Sequence, residues 1–235
     1  MSARVKAPEK ATGRKAAPKK AAPEKDAPKK ARPTSSGGAK RAAVVSTKPQ
    51  FTEINLIGTR PISDNSESRE GTPVDLFLLH TTEAGGGENL ISYMEMMADR
   101  SYHYVVDDDA HGNTVYDLVD TDLAAWSAKG ANHRSINLAF GYSTAAWTGE
   151  QWIANARNAI RIAAWLAVQD CRKYGIPVVV NSPPYRETAG ISDHNFATQM
   201  LPETGNTHTD VGPGFPWDLF AADVASFTTT SKGAT

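Results

Sequence analysis

The charge of this chain is divided along its length, and that division decides which part of it can fold. Residues 1–50 carry 14 Lys and Arg against Glu9, Glu24 and Asp26, a net +11. The whole 235-residue chain stands at −1, so the remaining 185 residues hold 11 basic and 23 acidic groups and stand at −12. Two physically different segments share one sequence.

The basic segment is built from Ala, Pro and Lys, as in APEKATGRKAAPKKAAPEKDAPKKARP at 7–33. It has no aromatic residue, and prolines at 8, 18, 23, 28 and 33 interrupt any helix. Such a stretch buries too little apolar surface to offset its ordering entropy, so residues 1–50 are expected to be a disordered tail and residues 51–235 the folded domain. The tail reads either as an electrostatic arm for anionic wall polymers or other polyanions, or as a solubilising extension. With no aromatic among its lysines, base stacking is not open to it.

Other classes are excluded by what the sequence lacks. No apolar run approaches the roughly 20 residues of a transmembrane helix. The N-terminus has no apolar h-region, so no signal peptide is expected. A single Cys171 excludes an intrachain disulfide framework and a Cys-rich zinc knuckle, and it reads as inert core inside a helix.

Within 51–235 the pattern alternates strand and helix. Val74–Leu79 is a buried strand ending at His80, and Gly85–Gly87 is a turn into a helix near Leu90–Met97. Ser101–Val106 reads as a strand whose alternation puts Tyr102, Tyr104 and Val106 on one face, with His103 and Val105 on the other. Val115–Val119 and Ile136–Phe140 are further strands, and Val178–Val180 a short one. Thr148 and Gln151 form a capping box before a helix over 150–174, stopped by Gly175 and Pro177. Beyond Pro184 the chain reads as loop-rich. The fold class is α/β, a single mixed sheet flanked by helices.

Six histidines supply the chemistry: His80, His103, His111, His133, His194 and His208. HExxH, CxxC and GxSxG are absent, so a metal site must draw its ligands from distant segments. Catalytic zinc takes about three protein ligands and keeps an open position. His80 ends a buried strand, and His194 and the His208-Thr209-Asp210 cluster lie in polar loops. Taken singly, each is a weak signal, and a histidine at a strand end is more often a satisfied structural residue than a ligand. His103 reads as a packed or outer-sphere histidine, and His111 and His133 as turn residues. Trp126 and Trp217 are open to sugar stacking or to core packing.

Several stretches together carry a resemblance: FLLHTTE at 77–83, SYHYVVDDDAHGNTVYDLVD at 101–120, AAWSAKGANHRSINLAF at 124–140, GISDHNFAT at 190–198 and THTDVGPGFPWD at 207–218. In this order they resemble the zinc-dependent N-acetylmuramoyl-L-alanine amidases of the phage-lysozyme and peptidoglycan-recognition-protein type. The flavour is that of the amidase domain of actinobacteriophage endolysins. The resemblance implies Zn2+ held by His80, His194 and Asp210, with Tyr102 and His208 as catalytic residues assisting the reacting carbonyl and the leaving amine. It implies bacterial peptidoglycan as partner, a monomer, and residence in the host cytoplasm until lysis and at the cell wall thereafter. The chain departs from the family pattern at the third-ligand segment, where Asp-Pro-Gly reads Asp210-Val211-Gly212-Pro213-Gly214 and the gap from His194 to Asp210 is 16 residues, longer than usual, and at two further positions. Ser127 stands where many relatives have His, and Ala139 where the anhydro-muropeptide enzymes have a catalytic Glu. A non-catalytic peptidoglycan-binding module, a zinc peptidase acting within the stem peptide, and a polyanion binder working through the tail are the alternative readings.

Overall fold

The computed structural model describes residues 47–83, 85–110 and 112–229. The expected tail therefore lies outside the described residues apart from 47–50, and so does His111. Contacts of the folded part reach back to Lys48, whose ammonium stands 4.5 Å from the ring centroid of Phe51 and 4.8 Å from that of Trp165.

Among the described residues eight strands and four α-helices follow in chain order: β1 (Thr52–Asn55), β2 (Ser66–Ser68), β3 (Leu76–Thr81), α1 (Gly87–Met97), β4 (Tyr104–Asp109), β5 (Gly112–Asp117), β6 (Leu123–Ala125), β7 (Ser135–Phe140), α2 (Gly149–Tyr174), β8 (Gly190–Asp193), α3 (His194–Met200) and α4 (Trp217–Thr228). Six of the strands form one mixed sheet in the order β1-β5-β4-β7-β3-β8, and β2 and β6 form a separate antiparallel pair. Within that six-stranded sheet β4, β7, β3 and β8 are mutually parallel, β1 runs parallel to β5, and the β4–β5 hairpin is antiparallel. The carboxyl ends of the four parallel strands thus lie along one edge, where ligands of open α/β sheets bind.

Strand alternation sorts the core into two layers. Phe77 and Leu79 of β3, and Ile136, Leu138 and Phe140 of β7, pack on the α2 side with Trp152, Ile160 and Ala163. Leu76 and Leu78 face the other way, against Phe196 and Ala197 of α3. His80 continues that second series, and Asn137 and Ala139 occupy the same face of β7. Burying each large core side chain contributes about 1.5–3 kcal/mol, so the register that places His80 is held by the hydrophobic residues around it.

α2 opens on the expected capping box, with both halves present between Thr148 and Gln151, and closes on left-handed Gly175. Within it Ala156 leaves helical geometry at φ −143°. The Asp108 carboxylate at the end of β4 accepts from the amides of Asn158 at 2.8 Å and Ala159 at 3.3 Å, capping the second half of the helix. Cys171 is buried, and burial pushes its thiol up to about 12, as suits an inert core residue.

Three expectations are corrected. The 101–106 strand begins only at Tyr104, because the chain bends at His103. Tyr102 therefore packs against the cluster that holds Val105 and Ala139, not the one that holds Tyr104 and Val106. Val178–Val180 makes a single bridge, Val180 to Ile191, because the Val179 amide turns back onto the Pro177 carbonyl. The segment past Pro184 carries β8, α3 and α4. The Gly and Pro density of 205–216 masks the Phe220, Val224, Phe227 spacing that buries α4 on α2. Asp223 then ties the two helices through Arg157 at 2.8 Å and Arg161 at 3.0 Å.

Candidate metal centre

His80 emerges at the carboxyl end of β3, buried at 1% exposure. Its Nε2 lies 2.9 Å from Asn137 Oδ1. Asn137 in turn donates from Nδ2 to Ser135 Oγ at 3.0 Å, which fixes which end of the amide faces the imidazole. An acceptor at Nε2 keeps the proton there and leaves the Nδ1 lone pair free to ligate.

His194 is the first residue of α3, next to β3 across the β3–β8 pairing. Asp193 caps that helix by accepting from the Phe196 amide at 2.9 Å, and also accepts from the Tyr185 hydroxyl at 2.8 Å. Burial nonetheless pushes the Asp193 carboxyl up to about 6. His194 repeats the arrangement at His80. Its Nε2 lies 2.7 Å from Asn206 Oδ1, while Asn206 Nδ2 donates to the Ala128 carbonyl at 2.9 Å and Thr204 Oγ1 at 2.7 Å.

Asp210 reaches the pair because the 201–210 segment folds back: the Asn195 amide donates to the Asp210 carbonyl at 3.0 Å. Asp210 Oδ2 lies 3.3 Å from His80 Nδ1, and Oδ1 lies 3.6 Å from His194 Nδ1. Burial disfavours charge on this carboxylate, but the facing His194 and His80 imidazoles outweigh it and hold the group far below the usual carboxylate range. Burial conversely drives the His80 pKa down, so that imidazole is neutral. One ligand atom from each of His80, His194 and Asp210 falls within 4.8 Å of the others. Two imidazoles and one carboxylate, buried and oriented from behind, are a donor set that fits a catalytic transition metal with an open position.

The other two expected site residues border this cluster. The Tyr102 ring lies 5.2 Å from that of His80, and burial raises its hydroxyl pKa, so it is protonated at neutral pH. The His208 ring stacks on His194 at 4.6 Å and 2°, and its Nδ1 lies 3.6 Å from Asp210 Oδ1. His208 is exposed, and burial with the neighbouring His194 lowers its pKa. It lines a cleft of about 290 Å³ with Glu83, Ala145 and Asp210. His103 stands behind: it is buried and held neutral by desolvation at a pKa of about 3, and it accepts at Nδ1 from the Asn137 amide at 2.9 Å.

Sequence reasoning did not single out Asn137, Asn206, Asp193 or Glu83. Asn137 and Glu83 lie inside the quoted SIN and HTTE stretches, which carried their signal. Glu83, at φ 59°, accepts from Thr81 Oγ1 at 2.6 Å, Thr144 Oγ1 at 2.7 Å and the Ala145 amide at 2.7 Å. It pins the 141–148 loop to the end of β3. Trp217 packs edge-on against Phe215 at 4.9 Å, a core role.

A family model described as N-acetylmuramoyl-L-alanine amidase matches residues 70–213. No curated protein sequence matches the chain. Among solved structures, the Staphylococcus aureus hydrolase AmiA, in complex with its ligand, superposes at TM-score 0.58 and 18% identity over 79% of this chain and 88% of that one. The N-acetylmuramoyl-L-alanine amidase LysC from Clostridium intestinale URNW gives 0.51 and 15% over 75% and 98%. The endolysin amidase LysCS from the same organism gives 0.51 and 16% over 77% and 98%. At these identities the structural likeness is one of fold.

Proposed function

The chain belongs to the N-acetylmuramoyl-L-alanine amidase family, and from that membership we propose a zinc-dependent endolysin that hydrolyses the amide between N-acetylmuramic acid and L-alanine in peptidoglycan. The observation that carries the zinc reading is the convergence of His80, His194 and Asp210, with both imidazoles fixed through Nε2 by amide side chains. A module that only bound peptidoglycan would have no need of that buried set.

His80, His194 and Asp210 hold the ion in this reading. Zinc bound there lowers the pKa of a water and polarises the scissile carbonyl. Asp210 offsets part of the positive charge, and its ionised state is already secured by the two imidazoles. The Tyr102 hydroxyl, protonated at neutral pH, donates to the carbonyl oxygen as negative charge develops on it. His208 takes up the proton of the attacking water and passes it to the departing alanine nitrogen. Its neutral imidazole and open cleft suit that exchange. Glu83, the other carboxylate of the cleft, has its oxygens committed to Thr81, Thr144 and Ala145, which makes it a clamp.

Mass spectrometry of digested peptidoglycan tests the reading. The expected products are stem peptides with a free L-alanine amino terminus, and none after a chelator has stripped the metal. Cleavage inside the stem peptide, or undiminished release from metal-free protein, overturns it.

A further inference from the structure

A second cleft, of about 550 Å³, opens at the start of α2 between Asp108, Asp109, Tyr142, Trp147 and Asn155. We propose that it is a glycan subsite, holding a neutral N-acetylhexosamine of the strand whose stem peptide is cut at the metal centre. This rests on the amidase reading above.

Position is the first argument. His80 ends β3, Tyr142 follows β7, and Asp108 and Asp109 end β4; these three strands are parallel, with β7 in the middle. All three groups therefore emerge along one edge of the sheet. Neighbouring strands lie about 4.8 Å apart, so the ends of β3 and β4 are about 10 Å apart, a separation comparable to the length of a disaccharide. The 141–148 loop is the wall common to both clefts. Ala145 lines the one with His208 and Asp210, and Tyr142 and Trp147 line the other.

Chemistry is the second. Tyr142 is 47% exposed, yet it is fixed. Its backbone is left-handed at φ 59°, its amide donates to the Gly85 carbonyl at 3.1 Å, and its ring lies so close over Gly86 that a side chain there would strike it. Trp147 is braced edge-on against buried Trp152 at 5.0 Å. Two immobile aromatic surfaces offer flat apolar area to a pyranose face at little entropic cost. The Asn155 amide gives hydroxyl and acetamido groups a polar partner beside the two rings, the mixture a specific small-molecule pocket uses. Asp108 is engaged by α2 amides and serves as wall. Two carboxylates at the rim disfavour an anionic ligand. That selects N-acetylglucosamine, the neutral neighbour of the muramyl residue, over a muramate bearing a free lactyl group.

Calorimetric titration of the full chain with chitotetraose, a neutral and peptide-free N-acetylglucosamine oligomer, tests the subsite without any catalytic step. Saturable binding is expected. It should weaken about tenfold in Tyr142→Ala, which is about 1.4 kcal/mol, and persist in Tyr142→Phe, which keeps the ring and verifies the fold. The ratio of turnover on glycan-linked stem peptide to turnover on a single muramyl-peptide should fall about tenfold in Tyr142→Ala as well. No saturable binding by the wild type, equal binding by Tyr142→Ala, or loss in Tyr142→Phe as large as in Tyr142→Ala overturns the proposal. Failure of the amidase reading shows elsewhere, as wild-type protein that liberates no L-alanine amino termini.

Discussion

His208 and Asp210 are two residues apart, and imidazole and carboxylate both suit zinc. Removing each in turn therefore tests the assignment at its most exposed point. Asp210 touches both buried imidazoles, at 3.3 and 3.6 Å, whereas His208 lies outside the group of atoms that converge within 4.8 Å. Four-ligand structural zinc sites bind with about 10–16 kcal/mol, or about 3 kcal/mol per ligand, so Asp210→Ala should weaken zinc by about two orders of magnitude. The loss is legible in stability. At free zinc of about 1,000 times the wild-type Kd the ion stabilises the fold by about 4 kcal/mol. At the same concentration a hundredfold weaker site gains only about 1.4 kcal/mol. The difference of nearly 3 kcal/mol should lower the zinc-dependent shift in Tm by about 5–10 °C in a domain of this size. His208→Ala should keep the full shift and the bound metal, and lose about 10²–10⁴ in turnover as a proton-transfer group. The assay is zinc content of desalted protein together with melting curves at fixed free zinc. A metal-free His208→Ala beside a zinc-loaded Asp210→Ala would reverse the assignment.

Tyr102→Phe should retain zinc and the melting temperature while turnover falls about 10²–10³-fold, the cost of one oxyanion donor; unchanged turnover returns Tyr102 to a packing role. Asp107 is buried with Oδ1 unpartnered, and burial lifts its carboxyl from 3.8 to about 6. A folded-state value above the unfolded one means stability is complete below about pH 4 and is lost as pH rises through about 6. Asp107→Asn should therefore gain up to about 3 kcal/mol at pH 8 and little at pH 4, and denaturant melts showing no such pH-dependent gain refute the burial argument. If residues 1–46 work as an electrostatic arm, deleting them should leave cleavage of soluble muropeptide intact and reduce action on isolated walls at low salt, where attraction is least screened; a deletion protein that does not fold refutes the division of the chain.

The parts of this molecule that were legible in the sequence are those set by local pattern. The β3 and β7 runs, the Thr148–Gln151 box and the Gly175 stop each express a periodicity or a cap that needs no partner. His80, His194 and Asp210 were readable only through the family pattern, since nothing local joins residues up to 130 positions apart. Asn137 and Asn206 were missed for a related reason. An asparagine in a strand or a loop carries no mark of the imidazole behind which it will sit. The bend at His103 was hidden because its cause is remote, the pairing of His103 with Asn137 and Leu118. α4 is the exception, since its Phe220, Val224, Phe227 spacing was present and the Gly and Pro preceding it obscured it.

The departure at Ala139 bears on how the work of the site is shared. Ala139 pairs in register with His80 and is fully buried, packed in the layer that holds Val105, Ile91 and Tyr102. A glutamate there would place a carboxylate among apolar side chains beside a neutral imidazole, at a desolvation cost that only the metal or a hydrogen-bonding partner could offset. This chain fills the position with a methyl group and keeps its second carboxylate, Glu83, at the far wall of the cleft, where three donors occupy it. In the reading proposed above, proton transfer then falls to a group that is exposed, neutral near pH 7 and adjacent to Asp210. His208 meets all three conditions. Tyr102 packs against the same layer, with its ring 5.2 Å from that of His80. On that reading carbonyl stabilisation and proton transfer fall to separate side chains, Tyr102 beside His80 and His208 beside His194.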